Sequence, residues 1–353
     1  MSSVHIYLSN RIVLLIFFQH FATAQKELIE PVLLGTIPTE DEAGRSENKI
    51  LISTNRELFI LVNGDLVVYN LEQNRFRSVL RSLDIEQVPL TFKGMQLSSR
   101  YNSIWNFSLD PQNRIYIEDW GSYGMVMDNN TISVINCHKL GANIENCLGY
   151  GFYNLTFNNR GSGFVVTNIQ LHDPSAKPDQ NGLFQYHNSS ELTLYAGGGD
   201  NSIGMLTPGG DPIHRFDALL STIKDMKFFD NTLFFMNPNE STVYKLTSDG
   251  WFHSMGTAYD FTVYSENTII IYGGLGDPRY AVYFSSPNLL EPIFITVIPE
   301  ITKNRGRNLG MAYDKETDDL YVSVLDYLDI ALWKVPDISR VLQTHIQDWK
   351  NYE

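Results

Sequence analysis

Eight acidic and aromatic residues of this chain fall in a small set of loops and could together bind a ligand. Carboxylates beside aromatic rings suit a positively charged group, because charge pairing adds to cation–π attraction. The pattern therefore predicts a pocket for a small cationic ligand such as an amine. The alternative is that the aspartates make turns and the rings pack between elements of the fold. The residues are Asp119, Trp120, Tyr123, Asp277, Tyr280, Asp326, Tyr327 and Asp329.

Short β-rich runs around polar turns must position these loops. The clearest copy, LFILV-NGD-LVVYN, runs from Leu58 to Asn70, and six such segments follow one another along the chain. Their second strands are about 52 residues apart on average, which indicates diverged blades of a propeller. These strands are expected to begin near Leu58, Ile115, Gly163, Leu233, Ile269 and Leu320.

The repeat predicts an all-β fold, a six-bladed β-propeller of four-stranded antiparallel blades. In such a fold the loops between second and third strands meet the blade-to-blade loops at one end of the channel, so the eight residues are expected to lie around one pocket. No linker rich in proline, serine or charge divides the series, so residues 25–353 are expected to form one domain. A pair of β-sandwiches is the alternative, since regularly spaced short strands also describe sandwiches.

The N-terminus predicts secretion. Arg11 precedes the apolar run Ile12–Phe18, and Ala22-Thr23-Ala24 follows as a small-residue cleavage site, so residues 1–24 are interpreted as a signal peptide. The apolar run is short for a spanning helix, although an uncleaved anchor is the alternative. The protein is expected to be extracellular, with no membrane span.

Cysteines and glycosylation sequons agree with that compartment. Cys137 and Cys147 are close in sequence, and in an oxidising environment they are most simply a disulfide, with two free thiols as the alternative. The Asn-x-Ser/Thr sequons predict a glycoprotein. They begin at Asn106, Asn129, Asn154, Asn188 and Asn239.

Charge restricts the partners. The formal net charge is −14 and becomes more negative when the segment containing Arg11 is removed. An acidic surface repels nucleic acid and favours cationic ligands, although it also serves plain solubility. A small molecule or an extracellular protein is therefore the expected partner, and nucleic acid is excluded.

Catalytic motifs are missing from the sequence. It contains no G-x-S-x-G elbow, H-E-x-x-H pair, EF-hand loop or nucleotide-binding glycine pattern. The glycine-rich segment 196–210 lacks the lysine of a phosphate loop and is interpreted as a connection between blades. No catalytic residue, metal ligand or cofactor is predicted from these patterns.

Two stretches resemble known propeller families. LDPQNRIYIEDWG (Leu109–Gly121) is similar to a phrase of the NHL-like and SMP-30/gluconolactonase propellers and to an early blade of the yellow and major royal jelly proteins. DLYVSVLDYLDIALWKV (Asp319–Val335) is similar to the last blade of the yellow family. The resemblance implies a secreted six-bladed propeller that is non-enzymatic in the yellow family, where some relatives bind small amines.

The same resemblance supplies an enzymatic alternative. Gluconolactonase-like propellers imply a divalent-metal-dependent lactonase or esterase, with Ca²⁺ as the cofactor. That metal site requires a Glu near the first blade, two Asn and an Asp, and this chain lacks the Glu-Gly-Pro phrase at its start. A non-enzymatic binding propeller is therefore the first hypothesis, and the metal-dependent hydrolase is the second.

Overall fold

The protein was analysed as a computed structural model, which describes residues 29–38, 49–62, 65–80, 91–92, 95–96, 104–119, 124–128, 131–134, 152–157, 163–167, 182–186, 192–196, 203–206, 212–216, 225–230, 232–237, 241–246, 252–273, 281–298, 309–326 and 329–346. Within them the fold is an all-β propeller with four-stranded antiparallel blades, so the sandwich alternative is wrong. No helix in these ranges is long and apolar enough to cross a membrane.

The described strands form six four-stranded sheets, here called sheets 1 to 6 in chain order. The first described strand, β1 (Val32–Pro38), belongs to sheet 6. Sheet 1 contains β2 (Ile50–Ile52), β3 (Glu57–Val62), β4 (Asp65–Asn70) and β5 (Arg75–Leu80). The two-stranded sheet β6 (Thr91–Phe92) and β7 (Met95–Gln96) follows. Sheet 2 contains β8 (Ile104–Leu109), β9 (Ile115–Asp119), β10 (Gly124–Asp128) and β11 (Thr131–Val134).

The second half of the chain repeats the same pattern. Sheet 3 contains β12 (Phe152–Phe157), β13 (Gly163–Thr167), β14 (Gly182–Tyr186) and β15 (Leu192–Ala196), and the pair β16 (Ile203–Leu206) and β17 (Pro212–Phe216) follows it. Sheet 4 contains β18 (Asp225–Phe229), β19 (Thr232–Asn237), β20 (Thr242–Leu246) and β21 (Phe252–Thr257). Sheet 5 contains β22 (Asp260–Ser265), β23 (Thr268–Tyr272), β24 (Ala281–Ser285) and β25 (Ile293–Val297). Sheet 6 contains β26 (Leu309–Asp314), β27 (Asp319–Asp326) and β28 (Asp329–Val335).

The expected second strands are confirmed. Strands β3, β9, β13, β19, β23 and β27 each begin within one residue of the position predicted from the repeat. Alternating and β-branched apolar residues explain this success, because one short strand carries its own local pattern. Strand β23 (TIIIY) is buried along its whole length, as expected for a strand covered on both faces.

The first strands of the sheets lie innermost and contact one another. Strand β26 contacts β2 and β22, strand β12 contacts β8 and β18, and β18 contacts β22, while sheets 1 and 2 meet through β3 and β8. The first described strand, β1, completes sheet 6 by pairing antiparallel with β28, from Val32 opposite Lys334 to Pro38 opposite Asp329. An N-terminal and a C-terminal strand thus share sheet 6, and Ile37 of β1 packs in the apolar cluster that sheet 6 forms with sheet 1.

Apolar clusters fill the spaces between neighbouring sheets. One cluster joins sheets 5 and 6, with Phe284 and Ile270 against Val322 and Leu320. A second joins sheets 6 and 1, and a third joins sheets 4 and 5. The helix α1 (Ser339–His345), which was not predicted, buries two residues against the first of these clusters. Its few turns lack the length that makes a helical period recognisable.

Candidate functional site

Three of the eight predicted ligand-binding residues have a described backbone position. Asp119 ends β9, Asp326 ends β27 and Asp329 begins β28. Asp119 pairs with Ile104, the first residue of its innermost strand, so it lies at the channel end where those strands begin. Asp326 and Asp329 face each other across one hairpin. The other five lie outside the described residues, namely Trp120, Tyr123, Asp277, Tyr280 and Tyr327. Their shared pocket stays a prediction.

The predicted modifications also lie mostly outside the described residues. Cys137, Cys147 and the sequons at Asn129, Asn188 and Asn239 belong to that group, and Asn154 is placed only as part of β12. Asn106 is described, and the residue is buried, with 2% of its surface exposed. A glycan needs an accessible amide nitrogen, so the folded chain does not accommodate glycosylation at Asn106.

Asn106 instead belongs to a polar cluster at the innermost strands, here called the axial network, formed by Lys49, Asn106, Asp225 and Lys227. The Lys49 ammonium donates a hydrogen bond to Asn106 Oδ1 at 3.0 Å and lies 3.7 Å from Asp225 Oδ1. Lys49 immediately precedes the innermost strand of sheet 1, Asn106 belongs to sheet 2, and Asp225 and Lys227 belong to sheet 4. The network therefore joins sheets that are not all neighbours.

Lys227 extends the axial network to two more sheets. Its ammonium donates to the carbonyl oxygens of Phe261, at 2.6 Å, and Met311, at 3.0 Å. It also lies 3.3 Å from Asp225 Oδ2, so one carboxylate is shared between two lysines. Together the contacts of Lys49 and Lys227 involve innermost strands of sheets 1, 2, 4, 5 and 6.

Asn and Asp residues near the beginning of innermost strands share one local geometry. The Oδ1 atoms of Asn106, Asp225 and Asp260 each accept the backbone N–H of the next residue, at 2.8 to 2.9 Å. This local bond fixes the side chain beside the strand. Lys49, Asp225 and Lys227 were not predicted from the sequence, although an Asn or Asp before an apolar residue in successive repeats was an available signal.

A cavity of about 420 Å³ lies beside the axial network, and Lys49 and Lys227 form part of its lining. Its walls include three buried hydroxyl residues, Ser108, Thr156 and Thr262, from sheets 2, 3 and 5. Small-molecule sites typically span roughly 300 to 1,000 Å³ and combine apolar walls with a few fixed polar groups. The cavity has the size and lining of a site for a small ligand.

The exposed rim of the cavity lies where the innermost strands end. Thr54, Asp230, Lys315 and Glu316 are exposed lining residues at this end. The Lys315 ammonium lies 5.7 Å from the ring centre of Phe229, a cation–π distance. The described rim is therefore at the channel end opposite Asp119, and the cavity is not the pocket predicted from the loops.

Cross-links between turns stabilise this rim. The Arg56 guanidinium binds Asp314 Oδ2 at 3.0 Å, which joins sheets 1 and 6. Asn113 Oδ1 accepts both the backbone N–H and the hydroxyl of Thr54 at 2.9 Å, which joins sheets 1 and 2. Arg56 and Asn113 both have positive φ, at 58° and 60°, so these turns hold tight, left-handed positions.

The axial network does not fit a divalent metal. Ca²⁺ takes about 6 to 8 oxygen ligands, whereas here the ammonium groups of Lys49 and Lys227 already contact the oxygens of Asn106 and Asp225. Among the described residues, no group of three or more His, Cys, Asp or Glu side chains could hold a metal ion. The described axial residues thus provide no calcium site of the gluconolactonase kind.

Comparison with known proteins supports the fold and no more. No protein-family model matches the chain, and no curated protein matches it. A streptogramin B lyase structure is similar, at 10% identity and a TM-score of 0.52, covering 86% of this chain and 97% of that chain. Virginiamycin B lyase from Staphylococcus aureus has 12% identity and a TM-score of 0.50, covering 86% of this chain and 99% of that chain. A luciferin-regenerating enzyme has 10% identity and a TM-score of 0.50, covering 87% of this chain and 95% of that chain. These likenesses define the class as a β-propeller.

Proposed function

We propose that this chain is a secreted, non-enzymatic six-bladed propeller that binds a small molecule in its axial cavity. The observation that carries the proposal is the cavity of about 420 Å³ beside a buried ammonium–carboxylate network. Burying charged groups costs free energy of folding. In ligand-binding sites, a few fixed polar groups of this kind orient the ligand.

The six-blade arrangement is supported by the contacts between sheets. Each four-stranded sheet contacts two neighbours, and β1 closes the last sheet. We propose that sheets 1 to 6 are the blades of one closed ring. The pairs β6–β7 and β16–β17 are then additions between blades.

Secretion, the Cys137–Cys147 disulfide and glycosylation form part of the proposal. They are supported by the apolar N-terminal run, the cysteine spacing and the sequons. Intact-mass measurement of the exported protein, before and after reduction and deglycosylation, tests all three. An unprocessed N-terminus at Met1 would contradict the signal peptide.

A cationic ligand at the opposite channel end remains a second binding hypothesis, supported by the acidic and aromatic loop residues. An extracellular protein partner fits the same loops. A divalent-metal-dependent lactonase or esterase is the enzymatic alternative, and it is supported by the resemblance of Leu109–Gly121 to the gluconolactonase-like propellers. It would need a metal site other than the axial network.

A fragment screen tests small-molecule binding in the cavity. Saturation-transfer NMR on the wild-type protein should identify fragments that bind, and Thr156→Tyr should abolish their signals by filling the cavity. The same change at the exposed helix residue Thr344, Thr344→Tyr, is the matched control and should keep them. Fragments that bind both variants equally would show that the cavity is not the site.

The enzymatic alternative is tested on the same preparation. Elemental analysis should find no stoichiometric divalent metal, and added Ca²⁺ should not produce hydrolysis of simple lactones or esters. Calcium-dependent hydrolysis would replace the non-enzymatic proposal with the alternative.

A further inference from the structure

Lys49 has spare hydrogen-bonding capacity beside the cavity. Its side chain is 9% exposed, and it lines the cavity together with Lys227. An ammonium has three N–H donors. Among the described residues, the Lys49 ammonium has one hydrogen-bond acceptor, Asn106 Oδ1 at 3.0 Å, since Asp225 Oδ1 at 3.7 Å lies beyond hydrogen-bonding distance.

Lys227 differs from Lys49 in this respect. Two carbonyl oxygens lie within 3.0 Å of its ammonium and a carboxylate oxygen lies at 3.3 Å. These contacts fix Lys227 in place and occupy its donors. Lys49 is therefore the lysine that can bind a ligand in the cavity, while Lys227 holds Asp225.

Charge within the axial network selects the kind of ligand. Two ammonium groups share the single carboxylate of Asp225. One positive charge of this network is left for a ligand, and burial makes an unmatched charge expensive. A singly charged carboxylate would balance it, whereas a phosphate dianion would exceed it.

The cavity walls add hydrogen-bonding groups suited to the same ligand. Ser108, Thr156 and Thr262 are buried and line the cavity. A hydroxyl can donate to a carboxylate oxygen or accept from a polar group of the ligand. Met311 and Val263 supply apolar surface in the same lining.

We propose that the axial cavity is a binding site for small monocarboxylates, with the carboxylate paired to the Lys49 ammonium. This inference rests on the proposed function, because it requires the cavity to be the ligand site, and it adds the ligand class and the anchoring residue. The buried hydroxyls then orient the rest of the acid.

The test uses three probes of one shape and different charge, namely benzoate, benzamide and benzylamine. Titration calorimetry on the full mature protein should show saturable binding of benzoate, with benzamide and benzylamine much weaker. Lys49→Met should weaken benzoate binding on the order of tenfold or more, since a hydrogen-bonded charge pair is lost. Lys334→Met, the same change at a lysine of sheet 6 outside the cavity lining, is the matched control and should leave the affinity unchanged.

A measurement on the wild-type protein covers the case in which Lys49→Met fails to fold. Saturating benzoate should slow reductive methylation of Lys49, measured by mass spectrometry, and leave the rate at Lys334, outside the cavity lining, unchanged. Benzoate binding with no effect of Lys49→Met, or with no protection of Lys49, overturns the inference.

The remaining outcomes separate this inference from the proposed function. Binding of benzamide or benzylamine without benzoate overturns the carboxylate assignment and leaves small-molecule binding in place. If none of the three probes binds and the fragment screen also finds nothing, both proposals fall.

Discussion

At the scale of single residues, the half-buried Tyr313 and the buried Tyr321 are held in their neutral form. Burial, with the carboxylate of Asp318 adding to it, raises the pKa of Tyr313, whose hydroxyl donates to Asp318 Oδ1 at 2.9 Å. Burial, with Asp319 adding to it, likewise raises the pKa of Tyr321. Both tyrosines lie near the carboxylates of Asp314 and Asp319, which bind Arg56 and Lys334. An ionised phenol would therefore add negative charge to a region that is already acidic.

These pKa shifts predict alkaline sensitivity. A pKa raised in the folded state means that the stabilisation is present below the unfolded pKa of about 10 and is lost as pH rises above it. Denaturant titrations should show the free energy of unfolding falling between about pH 9 and pH 11. The double variant Tyr313→Phe with Tyr321→Phe should fall less steeply over this range. Tyr259→Phe, at an exposed tyrosine, is the control and should keep the wild-type slope.

At the scale of elements, strand β1 closes sheet 6 and has two distinct faces. Ile37 is 8% exposed and packs in the cluster between sheets 6 and 1, while Leu33 on the same strand is 44% exposed. Pairing alone places both residues opposite β28. The contribution of β1 to stability should therefore come mainly from its buried face.

Replacing one residue on each face of β1 by alanine measures how much that face contributes to stability. Ile37→Ala should lower the free energy of unfolding by about 2 to 4 kcal/mol, since it removes buried methyl groups from a packed cluster. Leu33→Ala should cost less than about 1 kcal/mol, because its side chain already meets water. Guanidinium unfolding of the two variants makes the comparison. Equal losses would mean that β1 is held by strand pairing alone.

Strands and turns of this fold could be predicted from the sequence, while the site could not. The segment Asp110-Pro-Gln-Asn113-Arg114 forms a turn in which Asp110 Oδ1 accepts hydrogen bonds from two backbone N–H groups. Such a turn can be predicted from the sequence, because all its partners lie within five residues. The Lys49–Asp225 pair depends on which sheets face each other across the axis. That arrangement is set by packing between distant segments, which local periodicity does not contain.

At the scale of the whole molecule, the contacts of the axial network involve the innermost strands of five of the six described four-stranded sheets. Lys227 belongs to sheet 4 and binds carbonyl oxygens of sheets 5 and 6. Lys49 of sheet 1 reaches Asn106 of sheet 2 and Asp225 of sheet 4. The stability of the propeller therefore depends on a few buried side chains, because removing one of them leaves several hydrogen-bonding partners unpaired.

This dependence predicts a large difference between two lysines of sheet 4 that are almost equally buried. Lys227→Met should lower the free energy of unfolding by about 3 to 5 kcal/mol, because it breaks a buried ion pair and leaves two carbonyl oxygens without their donor. Lys245, with a side chain 9% exposed against 11% for Lys227, binds Glu266 and Asn267 of one neighbouring sheet. Since Glu266 is 62% exposed, water can replace that lysine, and Lys245→Met should cost about 1 kcal/mol. Guanidinium unfolding of both variants measures the difference, and equal losses would show that the axial network does not hold the ring together.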